Sequence, residues 1–170
     1  MRVALDLINE LALGPPTNAA DAVAGILAFD AESAKDFRAS QAVDFQRLAD
    51  DLHTVVIALD EDRVADAAGR LNAMLAAVPA SPYLANEDGV WRLHHHPRGA
   101  DLVEAWTSTC AESIARLVGE GHASRMHRCA APDCRRAFVD TTKNATRRYC
   151  SERCQNRMKA SALRRRRAGH

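Results

Sequence analysis

The chain has 170 residues, which is enough for one ordinary domain with a small second module. Hydrophobic residues make up 47% of it and aromatic residues only 5%, which favours a helical core of alanine, leucine and valine. No apolar run reaches the roughly 20 residues that a membrane-spanning helix needs, so we expect no membrane partner.

Charge is distributed very unevenly along the chain. The formal net charge is +1, but residues 1–124 carry 9 Lys/Arg against 19 Asp/Glu, whereas residues 125–170 carry 14 against 3. We therefore predict two domains, an acidic body of residues 1–124 and a basic module of residues 125–170. A compact basic module on an acidic body indicates a polyanionic partner for the module alone.

The first part of the body is predicted to be helical. Apolar residues recur at helical spacing over residues 3–13, and the run Gly14-Pro15-Pro16 should stop that helix. Thr17 and Asn18 can cap a second helix that extends through Phe29. Charged and polar side chains interrupt residues 1–13, so this stretch does not resemble a secretory signal, and we expect a cytoplasmic protein.

Two longer helices follow and should pair as an antiparallel hairpin. Residues 43–59 carry a clear apolar stripe, and residues 64–78 carry another after the charged turn Asp60-Glu61-Asp62. Pro79 is the expected stop of the second helix.

Residues 83–96 are the only extended segment predicted in the body. Asn86-Glu87-Asp88-Gly89 is a turn signal, and residues 90–94 alternate as a strand does. On a strand His94 and His96 share a face, as metal-binding histidines do, although an exposed strand explains them equally well.

A last helix of the body is predicted over residues 101–118. Cys110 lies on its apolar face, where we expect a buried and unreactive thiol. Trp91 and Trp106 are predicted to be core residues rather than the two sides of a ligand clamp.

Four of the five cysteines follow as two short-range pairs, Cys129 with Cys134 and Cys150 with Cys154, fifteen residues apart. Cysteine also occurs as a small buried hydrophobe or a disulfide partner. Two short-range thiolate pairs, however, are the ligand set of a structural zinc site, which takes four ligands in a tetrahedron. We therefore expect one structural Zn²⁺ per chain.

The order of elements around these cysteines predicts a treble-clef-like finger. Pro132-Asp133 favours a knuckle turn within the first pair, and Ser151 can cap a helix whose first turn carries the second pair. Between the pairs, residues 136–140 and residues 146–149 have strand character around a polar turn at 142–144. The fold class is therefore mainly α, a helical domain with a small β-hairpin followed by a knuckle, a hairpin and a helix.

Residues 129–159 resemble the CGNR zinc finger, on three motifs: Phe138-Val139-Asp140, Arg147-Arg148-Tyr149-Cys150-Ser151 and Cys154-Gln155-Asn156-Arg157. That finger follows an N-terminal ABATE domain in bacterial proteins described as stress-induced transcription regulators. The resemblance is specific in the finger and diffuse over residues 1–124, which it implies to be an ABATE-like domain. It also places an asparagine, here Asn9, in the first helix, where it would cap the helix or line a pocket.

Two positions depart from the family pattern. Gln155 stands at the family's namesake glycine, and Tyr149 stands where tryptophan is usual. A glycine allows close backbone approach to a ligand, and Gln155 removes that freedom.

Basic residues of the finger fall on one stripe of the predicted last helix. A neighbouring stripe of Cys154, Met158 and Ala162 can face the metal and the hairpin. The predicted DNA-binding residues are Arg147, Arg148, Arg153, Asn156, Arg157, Arg164 and Arg167, and Arg135 and Arg136 extend the same patch. Arginine binds phosphate or guanine edges with two hydrogen bonds. Alternatively, Asn156 and Arg157 only tie the helix to the knuckle.

These features predict a DNA-binding transcription regulator, cytoplasmic and associated with the nucleoid. Its helical domain would sense a small-molecule effector or form a homodimer. The alternative is a non-DNA adaptor whose finger binds protein or RNA, or whose arginines clamp its own acidic domain. Four cysteines close the zinc shell and leave no position for a reacting water, so we expect no enzyme.

Overall fold

The computed structural model describes residues 1–14, 16–78, 81–87 and 89–168. The helices are α1 (Arg2–Leu7), continued by a π-helical segment (Ile8–Ala12), α2 (Ala19–Leu27), α3 (Ala31–Asp36), α4 (Ala42–Asp60), α5 (Val64–Ala77), α6 (Leu102–Gly119) and α7 (Glu152–Ala168). Strands β1 (Tyr83–Glu87) and β2 (Val90–His94) form one antiparallel hairpin, and β3 (Met126–Arg128) and β4 (Ala137–Val139) form another. The predicted fold class is confirmed. The expected helix stops at Pro15 and Pro79 and the turn residue Asp88 lie outside the described residues.

Helix α4 is the centre of the body. It packs against α1 and its π-helical extension, α2, α5, α6 and also β3. Its residues Phe45, Leu52 and Val55 are completely buried, and burial of each such side chain contributes about 1.5–3 kcal/mol. Within the described ranges, no helix combines the length and the apolar character that crossing a bilayer requires.

The helix starts follow the local sequence. Asn18 caps α2 as predicted, because its side-chain oxygen accepts hydrogen bonds from the amides of Ala20 and Asp21. Asp101 caps α6 in a reciprocal capping box with Glu104. Caps of this kind each contribute about 1 kcal/mol because they satisfy free amides of the first turn.

Cys110 is buried in α6, as predicted, with 2% of its surface exposed. Burial raises the pKa of its thiol to about 12. Trp106 packs at the edge of the core, but the prediction for Trp91 is wrong, since 66% of that side chain is exposed. Trp91 lies on the outer face of the β1–β2 hairpin, opposite Asn86.

The predicted pairing of residues 136–140 with residues 146–149 is wrong. Strand β4 pairs with β3 instead, in the register Met126 to Val139, His127 to Phe138 and Arg128 to Ala137. Met126 of β3 and Ala137 of β4 are both buried in the hydrophobic core of the body. This shared burial holds the two strands side by side. Residues 146–149 form no strand, because the segment that precedes them folds around the buried carboxylate of Asp140, as described below.

Candidate metal centre and basic helix

The four cysteines predicted to bind zinc converge on one point. Their sulfur atoms, from Cys129, Cys134, Cys150 and Cys154, all lie within 4.8 Å of one another. The Sγ of Cys150 is 3.7 Å from that of Cys134 and 3.8 Å from that of Cys154. A tetrahedral shell with Zn–S bonds of about 2.3 Å separates its sulfurs by about 3.8 Å, whereas a disulfide needs about 2.05 Å. The cluster forms a zinc-binding site.

The first cysteine pair is held by a knuckle, as the sequence predicts. The amide of Cys134 donates to the carbonyl of Ala131 at 2.9 Å, which closes a turn with Pro132 and Asp133 at its centre. The amide of Cys129 donates to the carbonyl of Arg136, also at 2.9 Å. Both thiols are therefore fixed by backbone hydrogen bonds.

The second pair is held at the start of α7. The hydroxyl of Ser151 accepts a hydrogen bond from the amide of Cys154 at 3.3 Å, so Ser151 caps the first turn as predicted. The amide of Cys150 lies 3.4 Å from the Sγ of Cys129 and donates to it. This contact joins the two pairs.

The environment of the clustered thiols shifts pKa values within the site, and it leaves a place for a cation among them. Burial and the neighbouring thiols raise the pKa of Cys150 to about 12, and burial also raises the pKa of Cys134. The hydroxyl of Ser151 lowers the pKa of Cys154. Four thiolates cannot share such a small space without positive charge among them, and Zn²⁺ is the common divalent partner of this donor set.

Residues 125–167 match the family model of the CGNR zinc finger. The match spans the second hairpin, all four cysteines and α7 up to Arg167. A search of curated proteins found no match to the chain. The resemblance of the finger is therefore confirmed, whereas the ABATE-like identity of residues 1–124 and the boundary between the two domains stay predictions.

Asp140 organises the loop between β4 and the second cysteine pair of the CGNR finger. Its completely buried carboxylate accepts hydrogen bonds from the amide and hydroxyl of Thr142, at 2.7 and 2.6 Å, and from the amide of Arg147 at 2.6 Å. Burial alone raises the pKa of Asp140, but these hydrogen bonds outweigh it and hold the pKa below its usual value. The sequence contains a signal for this loop, because Asp140 stands two residues before Thr142. At that spacing an aspartate side chain often accepts a hydrogen bond from the backbone and closes a turn.

Arg147, predicted to contact DNA, is directed into the finger. Its guanidinium donates to the carbonyls of Tyr149, at 2.8 Å, and Cys150. It also lies over the ring of Phe138, with its central carbon 5.3 Å from the ring centroid. The side chain of Arg148 is exposed, and its carbonyl accepts from the amide of Ala130. Arg147 therefore braces the segment that leads into α7.

The predicted basic face of α7 lies on the surface. Its exposed members are Arg153, Asn156, Arg157, Arg164 and Arg167. No arginine of α7 is within ion-pairing distance of a carboxylate among the described residues. On the other side Cys154 is buried and Met158 packs against the cysteine cluster. The zinc site thus anchors one side of α7 while the other carries free positive charge.

Arg157 also has a contact with the metal centre. One of its guanidinium nitrogens lies 4.0 Å from the Sγ of Cys154. This distance fits a weak electrostatic contact with a thiolate. The contact leaves the rest of the guanidinium exposed to solvent.

Polar contacts fasten the finger to the body. Arg128 donates to both Asp60, at 2.8 Å, and Glu61, at 3.1 Å, beside the C-terminus of α4. Arg136, which the sequence placed in the DNA-binding patch, forms an ion pair with Glu10 at 2.8 Å. These contacts join residues more than 60 positions apart, so no local pattern in the sequence could have revealed them.

His94 and His96 do lie together, as their spacing suggested. The Nδ1 of His94 is 3.1 Å from the Nε2 of His96, and the Nε2 of His94 is 2.6 Å from a carboxylate oxygen of Glu87. Both ring nitrogens of His94 are thus engaged within the protein. In the described part of the chain, the four cysteines are the only group of three or more His, Cys, Asp or Glu side chains close enough to hold a metal.

Proposed function

We propose that the CGNR finger binds duplex DNA through the exposed face of α7 and that the protein acts as a transcription regulator. The observation that carries this proposal is the contrast among the arginines of the finger. Arg128 and Arg136 are paired with body carboxylates, whereas the arginines of α7 have no such partner among the described residues. Uncompensated arginines along one side of a helix suit a polyanion.

The chemistry of α7 suits the major groove of DNA. The groove is about 12 Å wide and admits an α-helix, and arginine donates two parallel hydrogen bonds to phosphate or to a guanine edge. Asn156 has the side chain that pairs with adenine. Zinc would fix the first turn of α7 through Cys154, so that these side chains are presented in one orientation rather than many.

The predicted contact residues are proposed to have three different roles, which follow from their positions. Arg148, Arg153 and Arg164, like Arg167, are exposed and are proposed to bind phosphates. Asn156 and Arg157 are proposed to reach base edges. Arg147 is proposed to act by position, because its guanidinium is already bound to two carbonyls of the finger. The body is proposed to supply effector sensing or dimerisation, and the closed thiolate shell gives the zinc no proposed catalytic role.

The rival proposal is an adaptor whose finger binds RNA or protein. The ion pairs of Arg128 and Arg136 favour part of it, since these two arginines do clamp the acidic body. The arginines of α7 take no part in these ion pairs, so the adaptor proposal does not explain why α7 is basic. The choice of nucleic acid therefore separates the two proposals.

The test is fluorescence anisotropy of the zinc-loaded full chain with a labelled 30-base-pair duplex and with single-stranded RNA of the same charge. We expect tighter binding to the duplex, weakened steeply between about 50 and about 200 mM salt. The variant Arg153→Ala/Arg164→Ala should lose most of the binding. Arg70→Ala, which removes an exposed arginine of α5, is the matched control and should change nothing. Equal or tighter binding to RNA would favour the adaptor.

A further inference from the structure

The β1–β2 hairpin and the body enclose a groove that the proposed DNA-binding function does not use. Its walls are the inner face of the hairpin, the turn between α2 and α3, and the first half of α6. Its volume is about 900 Å³, within the roughly 300–1,000 Å³ typical of small-molecule sites. The groove lies in the body and contains no residue of the CGNR finger.

Most polar side chains of the hairpin lie on the face toward this groove, and most of its large apolar side chains lie on the other face, although Leu93 also contributes to the groove lining. Leu84 pairs with Leu93 on the outer face, where they are 57% and 55% exposed. Tyr83, Glu87 and His94, on the opposite face, are half-buried and line the groove. A hairpin that merely covered a core would face the other way, because one face of a strand normally buries the apolar residues. Its inward polar face therefore indicates a polar occupant.

The polar groups of that inner face are already ordered. Arg92 forms an ion pair with Glu87 at 2.8 Å, and the other carboxylate oxygen of Glu87 contacts His94 at 2.6 Å. His94 contacts His96 at 3.1 Å, and His96 contacts the carbonyl of Pro97 at 3.0 Å. These contacts fix one wall of the groove, and the ion pair with Arg92 compensates the charge of Glu87.

The opposite wall is aromatic. The indole N–H of Trp106 donates to the buried hydroxyl of Ser33 at 3.1 Å, which fixes the ring. Phe29 meets Trp106 edge to face, with ring centroids 6.2 Å apart, and remains 51% exposed. The aromatic rings at the groove already bind cations of the chain itself, since Arg2 lies 4.9 Å above Phe29 and Arg98 lies 4.2 Å above Tyr83. Guanidinium groups thus fit these ring faces.

The charge that lines the groove is net negative, because Asp30, Glu32, Asp36, Glu87 and Asp101 are set against Arg38 and Arg92. Arg92 is paired with Glu87, and the guanidinium of Arg38 donates to the carbonyls of Lys35 and Phe37. Glu32 and Asp36 also line the groove, and neither pairs with a cationic side chain among the described residues. An anionic ligand would be repelled here and a cationic one attracted.

We propose that this groove binds a small organic cation, an amine or guanidine carried on an aromatic or alkyl group. The apolar part packs on Trp106 and Phe29, and the positive charge lies toward Glu32 and Asp36. The apolar part of the ligand replaces water over the aromatic wall, and the polar inner face of the hairpin lines the same groove. A regulatory effect of this ligand rests on the proposed DNA binding, but the binding itself does not.

The test uses Trp106 as a reporter. The chain has only two tryptophans, so Trp91→Phe on the outer face leaves Trp106 as the single fluorophore. The Trp91→Phe protein, without DNA, is titrated with 2-phenylethylamine and with agmatine. The neutral 2-phenylethanol and the anionic 3-phenylpropanoate serve as matched compounds. We expect saturable quenching by at least one of the two cations, with affinity at least about tenfold above that of the matched compounds.

The charge variant decides whether the cation binds where proposed. Glu32→Gln/Asp36→Asn in the same Trp91→Phe background should weaken cation binding by about tenfold, because it removes two exposed charges that face the ligand. Asp62→Asn/Glu120→Gln removes two exposed charges outside the groove and should leave binding unchanged. The proposal is overturned if neither cation quenches Trp106 saturably, if 2-phenylethanol binds as well as the amine, or if the groove variant keeps full affinity. Because no DNA is present, failure of the proposed DNA binding does not alter these results.

Discussion

The side-chain amide of Asn9 and the peptide group of Ala137 exchange two hydrogen bonds, at 3.0 and 2.8 Å. Asn9 lies in the π-helical segment of the body, and Ala137 is the first residue of β4 in the CGNR finger. One side chain thus satisfies both polar groups of a strand residue, as a neighbouring strand would. Ala137 is 3% exposed, so in the folded protein its polar groups depend on Asn9 rather than on water.

Replacement of Asn9 by Ala should weaken the attachment of the finger to the body. It leaves the buried N–H and C=O of Ala137 without a partner, which costs about 1–3 kcal/mol. Urea unfolding of the zinc-bound protein would show this loss as a lower midpoint with an unchanged slope. Asn156→Ala removes an exposed amide of α7 and is the matched control. An unchanged midpoint for Asn9→Ala would contradict the role given to this pair.

One zinc per chain is expected, and Cys154→Ser should abolish its tight retention. A structural zinc contributes on the order of 10 kcal/mol to a small finger, and serine supplies a poor ligand in place of the thiolate. Metal analysis after dialysis against a chelator measures the loss. Cys110→Ala changes a cysteine outside the cluster and should keep one zinc. Absence of zinc from the wild-type protein, together with paired disulfides, would refute the assignment.

The zinc ligands could be predicted because each pair is local. Cys129 and Cys134, like Cys150 and Cys154, are separated by a turn, so their spacing alone determines that both sulfurs meet. The pairing of β4 could not be predicted in this way. It depends on the burial of Met126 in the body, a contact between distant parts of the chain. Propensity favoured residues 146–149 as the partner strand, and tertiary packing overrode it.

The faces of the first hairpin were equally hard to predict. Alternation in residues 90–94 correctly predicted a strand, and this strand pairs antiparallel with β1. An alternation of apolar and polar residues does not determine which set of side chains faces the protein. The apolar set is normally expected to be the buried one. Here Trp91 and Leu93 face outward, so that expectation gave the wrong position for Trp91.

Asp140→Asn should destabilise the finger at neutral pH and matter less in acid. The folded protein holds the pKa of Asp140 below its usual value, so ionised Asp140 contributes stability above the unfolded pKa of about 3.9. That contribution is lost as the pH falls through the folded pKa. Urea unfolding of the two proteins between pH 7 and the acid range should show a difference that shrinks on acidification. A difference that stays constant with pH would assign the effect to packing rather than to the charge.

Arg164→Ala should weaken binding to all duplex DNA alike. If Arg148, Arg153, Arg164 and Arg167 each neutralise one phosphate, the slope of log affinity against log salt is roughly −3.6, at about 0.9 per contact. Removal of Arg164 should flatten this slope by about one unit. Titrations at four salt concentrations measure it, with Arg70→Ala as the control. A slope that does not change would remove Arg164 from the binding surface.

Arg157→Ala is a separate case, because a base-reading role and a metal-centre role for Arg157 predict different results. As a reader of base edges beside Asn156, its loss should cost about 1–3 kcal/mol on a preferred site and much less on random DNA. As a partner of the metal centre, through its 4.0 Å contact with the Sγ of Cys154, its loss should weaken binding to all DNA equally and speed the removal of zinc by a chelator. A preferred site selected from random duplexes, followed by parallel measurement of specific affinity, random affinity and zinc retention, separates the two. We expect the first pattern, since Arg157 is exposed and one long contact to sulfur leaves its other guanidinium nitrogens free to bind a base.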